Sequence, residues 1–236
     1  MPGSGALPPA LGHDEIHLCH LALPAGTPPR DVRAVAHRVL DRLISHYSGR
    51  VPPPPLSRGE HGKPMVAGIP GLEFNLSHAD HHVAFAFAWK QALGVDIESH
   101  ERNIQAAGLA RRFFVPAEAD ALDGLDPDLQ RAAFLRVWTH KEAVLKALGV
   151  GLSFGLDRLE FVLDADGRVT ALRAIDASCG PASTWQLHAF RSGDGIEGAL
   201  AWRGAARRVR TLWIEAAPPC SWADSRALSR ERPRGA

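Results

Sequence analysis

The chain has 236 residues, 45% of them hydrophobic and 22% charged, enough to bury one large core or two small ones. Its 27 Lys and Arg nearly balance 26 Asp and Glu, and the formal charge of +1 excludes the basic excess of a generic nucleic-acid binder. Three cysteines (Cys19, Cys179 and Cys220) are too few and too scattered for a disulfide framework and suit a reducing compartment.

Residues 1–13 are rich in Gly and Pro and residues 218–236 lack periodicity, so both are expected to be loose tails. Residues 15–23 read as a strand. Thr27 is then a candidate N-cap, with Pro28 at the first helical position. Val32, Val35, Val39, Leu43 and Tyr47, joined by Ala36, Leu40 and Ile44, recur at spacings of three and four, which predicts an amphipathic helix. Residues 51–56 carry four consecutive prolines and read as a stiff polyproline II connector.

A strand-rich block follows. Residues 74–78 are short and alternate in polarity. In residues 83–89, Val83, Phe85, Phe87 and Trp89 share one face and three alanines the other, which predicts a strand covered on both sides. Residues 92–98 alternate again. Helical stretches at 104–114 and 116–122 precede a longer helix, which starts at Asp126 as N-cap with Pro127 behind it and stops at Gly149. Further strands are expected at 158–163, 169–174, 184–190, 198–202 and 208–215. Helices and strands in mixed order, without a βαβ rhythm, predict an α+β fold.

Several motifs lack the context their chemistry needs. Gly193-Asp194-Gly195-Ile196-Glu197-Gly198 matches a dinucleotide-binding pattern but enters a strand rather than a helix, so it reads as a hairpin turn. Gly151-Leu152-Ser153-Phe154-Gly155 matches a nucleophile elbow, yet the helix precedes the serine and the strand follows it. The sequon at Asn75 has no meaning in a reducing compartment. Twelve histidines, His17/His20 and His81/His82 among them, show no zinc-ligand spacing.

Chemistry gathers elsewhere. In Gly94-Val95-Asp96-Ile97-Glu98, strand alternation turns Asp96 and Glu98 to one face, with Cα atoms roughly 6.5–7 Å apart. Two carboxylates at that spacing can converge on a hard divalent cation, although a solvated acidic edge would read the same way. On the long helix, Glu142 and Lys146 stand four apart and can form an ordinary surface pair. Lys141 interrupts an apolar stripe and therefore wants an anionic partner or a polar cavity. Three carboxylates and two lysines suit Mg²⁺ with a phosphate-bearing ligand. Lys63, in Gly62-Lys63-Pro64, adds a cation, and Ser77-His78 add a hydroxyl and an imidazole at a strand end.

The ordered set GKP, FNLSH, GVDIE and WTHKEAVLK, with ARRFFVPAE and GVGLSFGLD, resembles the Sfp-type 4′-phosphopantetheinyl transferases over about residues 58–163. The resemblance implies transfer of phosphopantetheine from coenzyme A to a serine of an acyl or peptidyl carrier protein, releasing adenosine 3′,5′-bisphosphate. By the same resemblance Asp96, Glu98 and Glu142 would hold Mg²⁺ against the pyrophosphate. Lys146 would contact the leaving-side phosphate, with Lys141 nearby. Ser77 and His78 would bind the 3′-phosphate with help from Lys63, and the Gly62–Pro64 backbone would line the adenine pocket. Glu142, directly or through a water on the cation, would act as base.

The implied fold is a pseudo-dimer of two similar α+β halves, residues 14–102 and 103–217, with the active site in the cleft between them and the divide near 99–103. A monomer follows, with no nucleic-acid partner. No membrane partner is expected either, since no run of about 20 apolar residues occurs and residues 1–11 do not form a signal peptide; the expected location is the cytoplasm. Apolar residues within 104–114 are candidates for carrier docking, with core packing equally open for Phe113 and Phe114. A basic stretch common in relatives between the first strand and helix is short here; Arg30 or Arg33 could replace it. A non-catalytic coenzyme A- or carrier-binding homologue is the alternative reading. Neither the carrier nor its pathway is legible.

Overall fold

In the computed structural model of the chain, residues 7–59, 61–102 and 104–216 are described, so residues 1–6 of the first expected tail and all of the second, 218–236, lie outside the described residues. The remainder of the N-terminal segment is anchored: Pro8 is buried and Gly12 N donates to Glu15 Oε1 at 3.1 Å.

Strand β1 (Glu15–Ala22) leads into helix α1 (Pro29–Ser48), then β2 (Leu56–Arg58), β3 (Pro64–Val66), β4 (Leu72–Ala79), β5 (His82–Trp89) and β6 (Leu93–Ser99). Helices α2 (Ala106–Phe113), α3 (Pro116–Asp123) and α4 (Pro127–Leu148) follow. The chain continues through β7 (Leu159–Leu163), β8 (Val169–Ile175), β9 (Trp185–Arg191), β10 (Ile196–Arg203) and β11 (Arg208–Trp213). The order is mixed α+β, as the sequence predicts. Residues 193–195 form the expected turn between β9 and β10, and residues 151–158 the expected helix-to-strand connection.

Local chemistry sets the helix ends. The Asp126 side chain accepts from Asp128 N at 2.9 Å, and Gly149 closes α4 with a φ of 75°. At α1 the Thr27 hydroxyl donates instead to Pro24 O at 2.6 Å, so the helix begins behind Pro28 without a side-chain cap.

Two sheets form, with strand orders β11-β1-β5-β4 and β6-β10-β9, beside the two-stranded pairs β2-β3 and β7-β8. All pairings are antiparallel except β11, which adds parallel to β1. The two-faced pattern of β5 explains the layering. Val83, Phe85 and Phe87 pack with Val32, Val39, Leu43 and Ile44 of α1. Ala84, Ala86 and Ala88 meet Leu93, Val95 and Ile97 of β6 and Leu200 and Trp202 of β10. Large rings fill the volume under the helix, while methyl groups let the second sheet approach.

Beyond the second sheet, Val137, Val144 and Leu145 of α4 share a core with Ala199 and Ala201. Strand β6, which precedes the expected divide at 99–103, thus belongs to the second sheet, and β11 returns to the first. Residue 103 lies outside the described residues. Among the described residues no helix is long and apolar enough to cross a membrane.

Contact between α4 and β6 is unusually close. A Cβ on Gly94 would lie 2.1 Å from Ala143 O and 2.4 Å from Ala147 N, so only glycine lets the helix backbone rest on the strand.

Lys141, on the same helix, is fully buried. Its Nζ pairs with Glu118 Oε2 at 2.7 Å and donates to Leu156 O at 2.9 Å and Leu159 O at 2.5 Å. Glu118 also accepts from Phe161 N at 2.7 Å. The lysine that breaks the apolar stripe therefore finds its anion inside the core, tying α4 to α3 and β7. Burial pushes Glu118 up and Lys141 down, against the mutual attraction of the pair.

His20 is a second sealed polar group. Its Nδ1 lies 2.8 Å from Ser192 Oγ, and the rings of Phe190 and Trp213 cover it at 5.2 and 5.1 Å. Burial, aided by His82 and His188, pushes it down to about 4.

Two stability predictions follow from these groups. Lys141→Met should cost about 3–5 kcal/mol in denaturant unfolding because it strands Glu118, and a Lys141→Met/Glu118→Leu pair should recover much of that loss. An unfolded histidine titrates near 6.5 and folded His20 near 4, so the unfolded state takes up more protons between those values. Stability from neutral His20 should be intact above pH 6.5 and fall by about 3 kcal/mol towards pH 4. Thermal unfolding of His20→Gln across that window should show a flatter acid limb than the wild type.

Candidate functional site

Alternation along β6 sends Val95 and Ile97 into the core between the sheets and leaves Gly94, Asp96 and Glu98 on the side of α4. With the helix seated on Gly94, Glu142 and Lys146 stand one turn apart beside Asp96. The Lys146 ammonium donates to Asp96 Oδ1 at 2.7 Å, Val95 O at 3.2 Å and Ser77 Oγ at 3.1 Å. Ser77 in turn donates to Asp96 Oδ1 at 2.7 Å. Three elements, β4, β6 and α4, thereby converge on one carboxylate. One residue pair further, Asn75 Oδ1 accepts from Val95 N at 2.9 Å and fastens β4 to β6.

Negative charge here is crowded and partly dehydrated. Burial raises Glu142 to about 7; Asp96 and Glu98 push it the same way, while Lys146 opposes them. Burial and Asp96 also raise Glu98, against the pull of Arg102, whose Nη1 donates to Glu98 Oε1 at 2.7 Å. Asp96 is buried, and its Oδ2 has no hydrogen-bond partner. Oxygen-only donors, mutual repulsion and an orphaned carboxylate oxygen are the features a hard divalent cation satisfies, so the residues fit Mg²⁺. Among the described residues no group of three or more His, Cys, Asp or Glu is gathered into a ready ligand set.

Next to this cluster lies a cleft of about 290 Å³, lined by Gly62, Lys63, Pro64, Asn75, Leu76 and Lys146 and by the Gly149-Val150 end of α4. Gly62 adopts a φ of 83°, which turns the loop into β3. The sequence brings the expected loop to the cleft, but not all its side chains are free. Lys63 Nζ donates to Leu93 O at 2.9 Å and to Ala147 O at 3.4 Å, and burial pushes it down. It ties the loop to the C-terminal turn of α4 rather than presenting a free ammonium.

Other expected site residues are distributed unevenly. Ser77 is buried against Asp96, whereas His78, its neighbour on β4, is exposed. Partial burial and the positive charges of Arg33 and Lys146 push His78 down. The charge of Arg33 on α1 thus reaches the imidazole, while Arg30 is 87% exposed and lies 3.7 Å from Asp31. Lys141 is not part of the cluster; its ammonium is consumed by Glu118. Within the candidate docking segment, Phe114 is buried and stacks on Phe134 at 5.1 Å, and Phe113 meets Trp138 edge-on at 6.2 Å. Sequence reasoning missed Arg102 and the structural duty of Asn75, because neither carries a spacing that points to its partner.

Residues 92–201 match the model of the 4′-phosphopantetheinyl transferase superfamily. A 4′-phosphopantetheinyl transferase of Bacillus subtilis is 35% identical over 142 residues, covering 57% of this chain and 62% of the relative. The transferase Sfp of Bacillus subtilis strain 168 is 37% identical over 114 residues, covering 48% and 50%. AcpT of Escherichia coli K12 is 36% identical over 121 residues, covering 51% and 60%. The chain spans less than two thirds of the length of these relatives. The matched stretch, residues 92–201, carries Asp96, Glu98, Glu142 and Lys146, and is similar to the 4′-phosphopantetheinyl transferase superfamily, with the transferase Sfp among the chain's relatives.

Proposed function

We propose that the chain transfers 4′-phosphopantetheine from coenzyme A to a serine hydroxyl of an apo acyl or peptidyl carrier protein, releasing adenosine 3′,5′-bisphosphate. The observation that carries this reading is the meeting of Lys146, Ser77 and Asp96, with Glu98 and Glu142 beside them, at the rim of a cleft that also contains Gly62–Pro64. The names of the relatives support it.

On this reading the fold is a pseudo-dimer whose seam holds the site. Its support is a repeated topology. Each unit runs strand, helical segment (α1 in the first, α2 to α4 in the second), two-stranded pair, strand, strand, and the three main strands are ordered first, third, second: β1-β5-β4 and β6-β10-β9. The second unit then begins at Leu93, ahead of the divide near 99–103, and contributes the acidic strand.

In the proposed reaction the carrier serine oxygen bonds to the phosphorus next to pantetheine, and the bond from that phosphorus to the bridging oxygen breaks. The bisphosphate leaves with the electron pair. Glu142, half-buried beside Lys146, receives the serine proton. Lys146 offsets charge growing on the leaving phosphate. Asp96, Glu98 and Glu142 would hold Mg²⁺, which when bound neutralises the pyrophosphate. Ser77 orients Asp96 through its hydroxyl, and His78 with Arg33 would face the 3′-phosphate. Lys63 stiffens the loop over the adenine pocket.

The second reading, a coenzyme A- or carrier-binding protein without turnover, draws on the short span between β1 and α1, with Arg33 and Lys146 as the cations whose charge reaches His78. Intact-mass measurement on several apo carriers incubated with coenzyme A, Mg²⁺ and the protein separates the two. Transfer predicts a phosphopantetheine adduct that disappears when Mg²⁺ is chelated; no adduct on any carrier leaves only the binding reading. Asp96→Ala and Glu142→Ala should each lower turnover roughly 10²–10³-fold with an unchanged circular dichroism spectrum. Near-wild-type turnover in either would remove that residue from the site.

A further inference from the structure

We propose that Arg102 is a built-in competitor of the divalent cation: its guanidinium occupies Glu98 and must be displaced before the carboxylates can close around a metal. The inference rests on the reading that Asp96, Glu98 and Glu142 are the cation ligands.

Arg102 sits in the turn behind β6, and that turn is fastened in three places. His100 N donates to Gly195 O at 2.8 Å, Glu101 N to Ser99 Oγ at 3.1 Å and Arg102 N to Ser99 O at 3.2 Å. The guanidinium is therefore delivered to Glu98 by an ordered backbone. Its contact at 2.7 Å joins a side chain 55% exposed to one only 18% exposed, so the pair is screened on the arginine side alone.

Other arginines nearby are already committed. Glu197, the cross-strand partner of Glu98, holds Arg136 at 3.2 Å and Arg191 at 3.4 Å, with His100 at 3.3 Å. That leaves Arg102 as the cation hydrogen-bonded to Glu98.

Two positive groups thus stand in the carboxylate cluster, and they differ in kind. Lys146 is anchored by three acceptors, one of them a backbone carbonyl, and it covers Asp96 Oδ1 while leaving the buried Oδ2 without a partner. Arg102 makes one side-chain contact in the cluster and can swing into solvent. Once all three carboxylates are ionised, two cations leave one net negative charge for an incoming metal; without Arg102 two remain.

Equilibrium Mn²⁺ binding to the full chain without coenzyme A, read by the electron paramagnetic resonance signal of free Mn²⁺, tests this. Arg102→Ala should bind Mn²⁺ about two- to five-fold more tightly than the wild type. Arg102→Lys should stay close to the wild type, and in a Glu98→Gln background Arg102→Ala should make little difference. Unchanged or weaker binding in Arg102→Ala, or an equal gain in the Glu98→Gln background, would overturn the competitor role. If the wild type binds and Asp96→Ala does not, such a result removes Arg102 alone; if Asp96→Ala binds as the wild type does, or neither binds, the cation site falls with it.

Discussion

Everything chemical in this molecule depends on the place where α4 lies on β6 with no side chain between the two backbones. Gly94 makes the contact possible, and Ala143 and Ala147 present the matching surface on the helix. An ordinary helix–sheet packing would hold the helix a side chain's length further out and carry Glu142 and Lys146 away from Asp96. The contact is also steric in the strictest sense, since a single methyl group at position 94 would overlap the helix backbone. A site built on two rigid elements in such close register is positioned by packing rather than by its own attractions. It can therefore tolerate carboxylates that repel one another.

The two lysines of α4 show how far a helix separates chemistry. Lys146 follows Glu142 by four residues and shares its face; Lys141 precedes Glu142 by one and points into the core. Both are paired with a carboxylate at 2.7 Å, yet the pairs do opposite work. Lys141–Glu118 is completely buried, satisfied by backbone carbonyls and an amide, and braces α4 against α3 and β7. Lys146–Asp96 is left partly open, with one carboxylate oxygen lacking any partner. Completeness distinguishes the pair buried in the core, and an unpaired oxygen the pair at the carboxylate cluster.

Periodicity made most of the architecture legible. The two-faced pattern of β5 identified a strand covered on both sides, and Asp126, Pro127 and Gly149 bounded α4 correctly. The strands β2 and β3 escaped because three residues cannot establish an alternation, and β3 opens on a proline. Pairing between distant segments was also illegible: nothing local says that β6 joins β10 or that β11 returns to β1. In the cluster, residue type and spacing anticipated that Asp96 and Glu98 share a strand face and Glu142 and Lys146 a helix face, because strand and helix periods translate directly into shared faces. They could not assign the ends of long flexible side chains. Lys63 reaches backbone carbonyls and Lys141 a core glutamate, and both outcomes depend on neighbours remote in sequence.

The location of the cluster has its own physical logic. The strands β4 and β6 close off different sheets and run side by side without a backbone ladder between them. Side chains must then satisfy the groups a ladder would have paired, and Asn75 does so for Val95 N. Ser77 and Lys146 continue the same stitching one step along, at Asp96 and at Val95 O. A seam held by side chains leaves gaps that a hydrogen-bonded ladder would fill, and the cleft by Asn75, Leu76 and Lys146 opens there. Hydrogen bonds that join the two sheets thus also orient the polar groups at the mouth of that cleft. Loosening the seam would disorganise the site before it unfolded either sheet, since each sheet retains a hydrophobic core of its own under its helix.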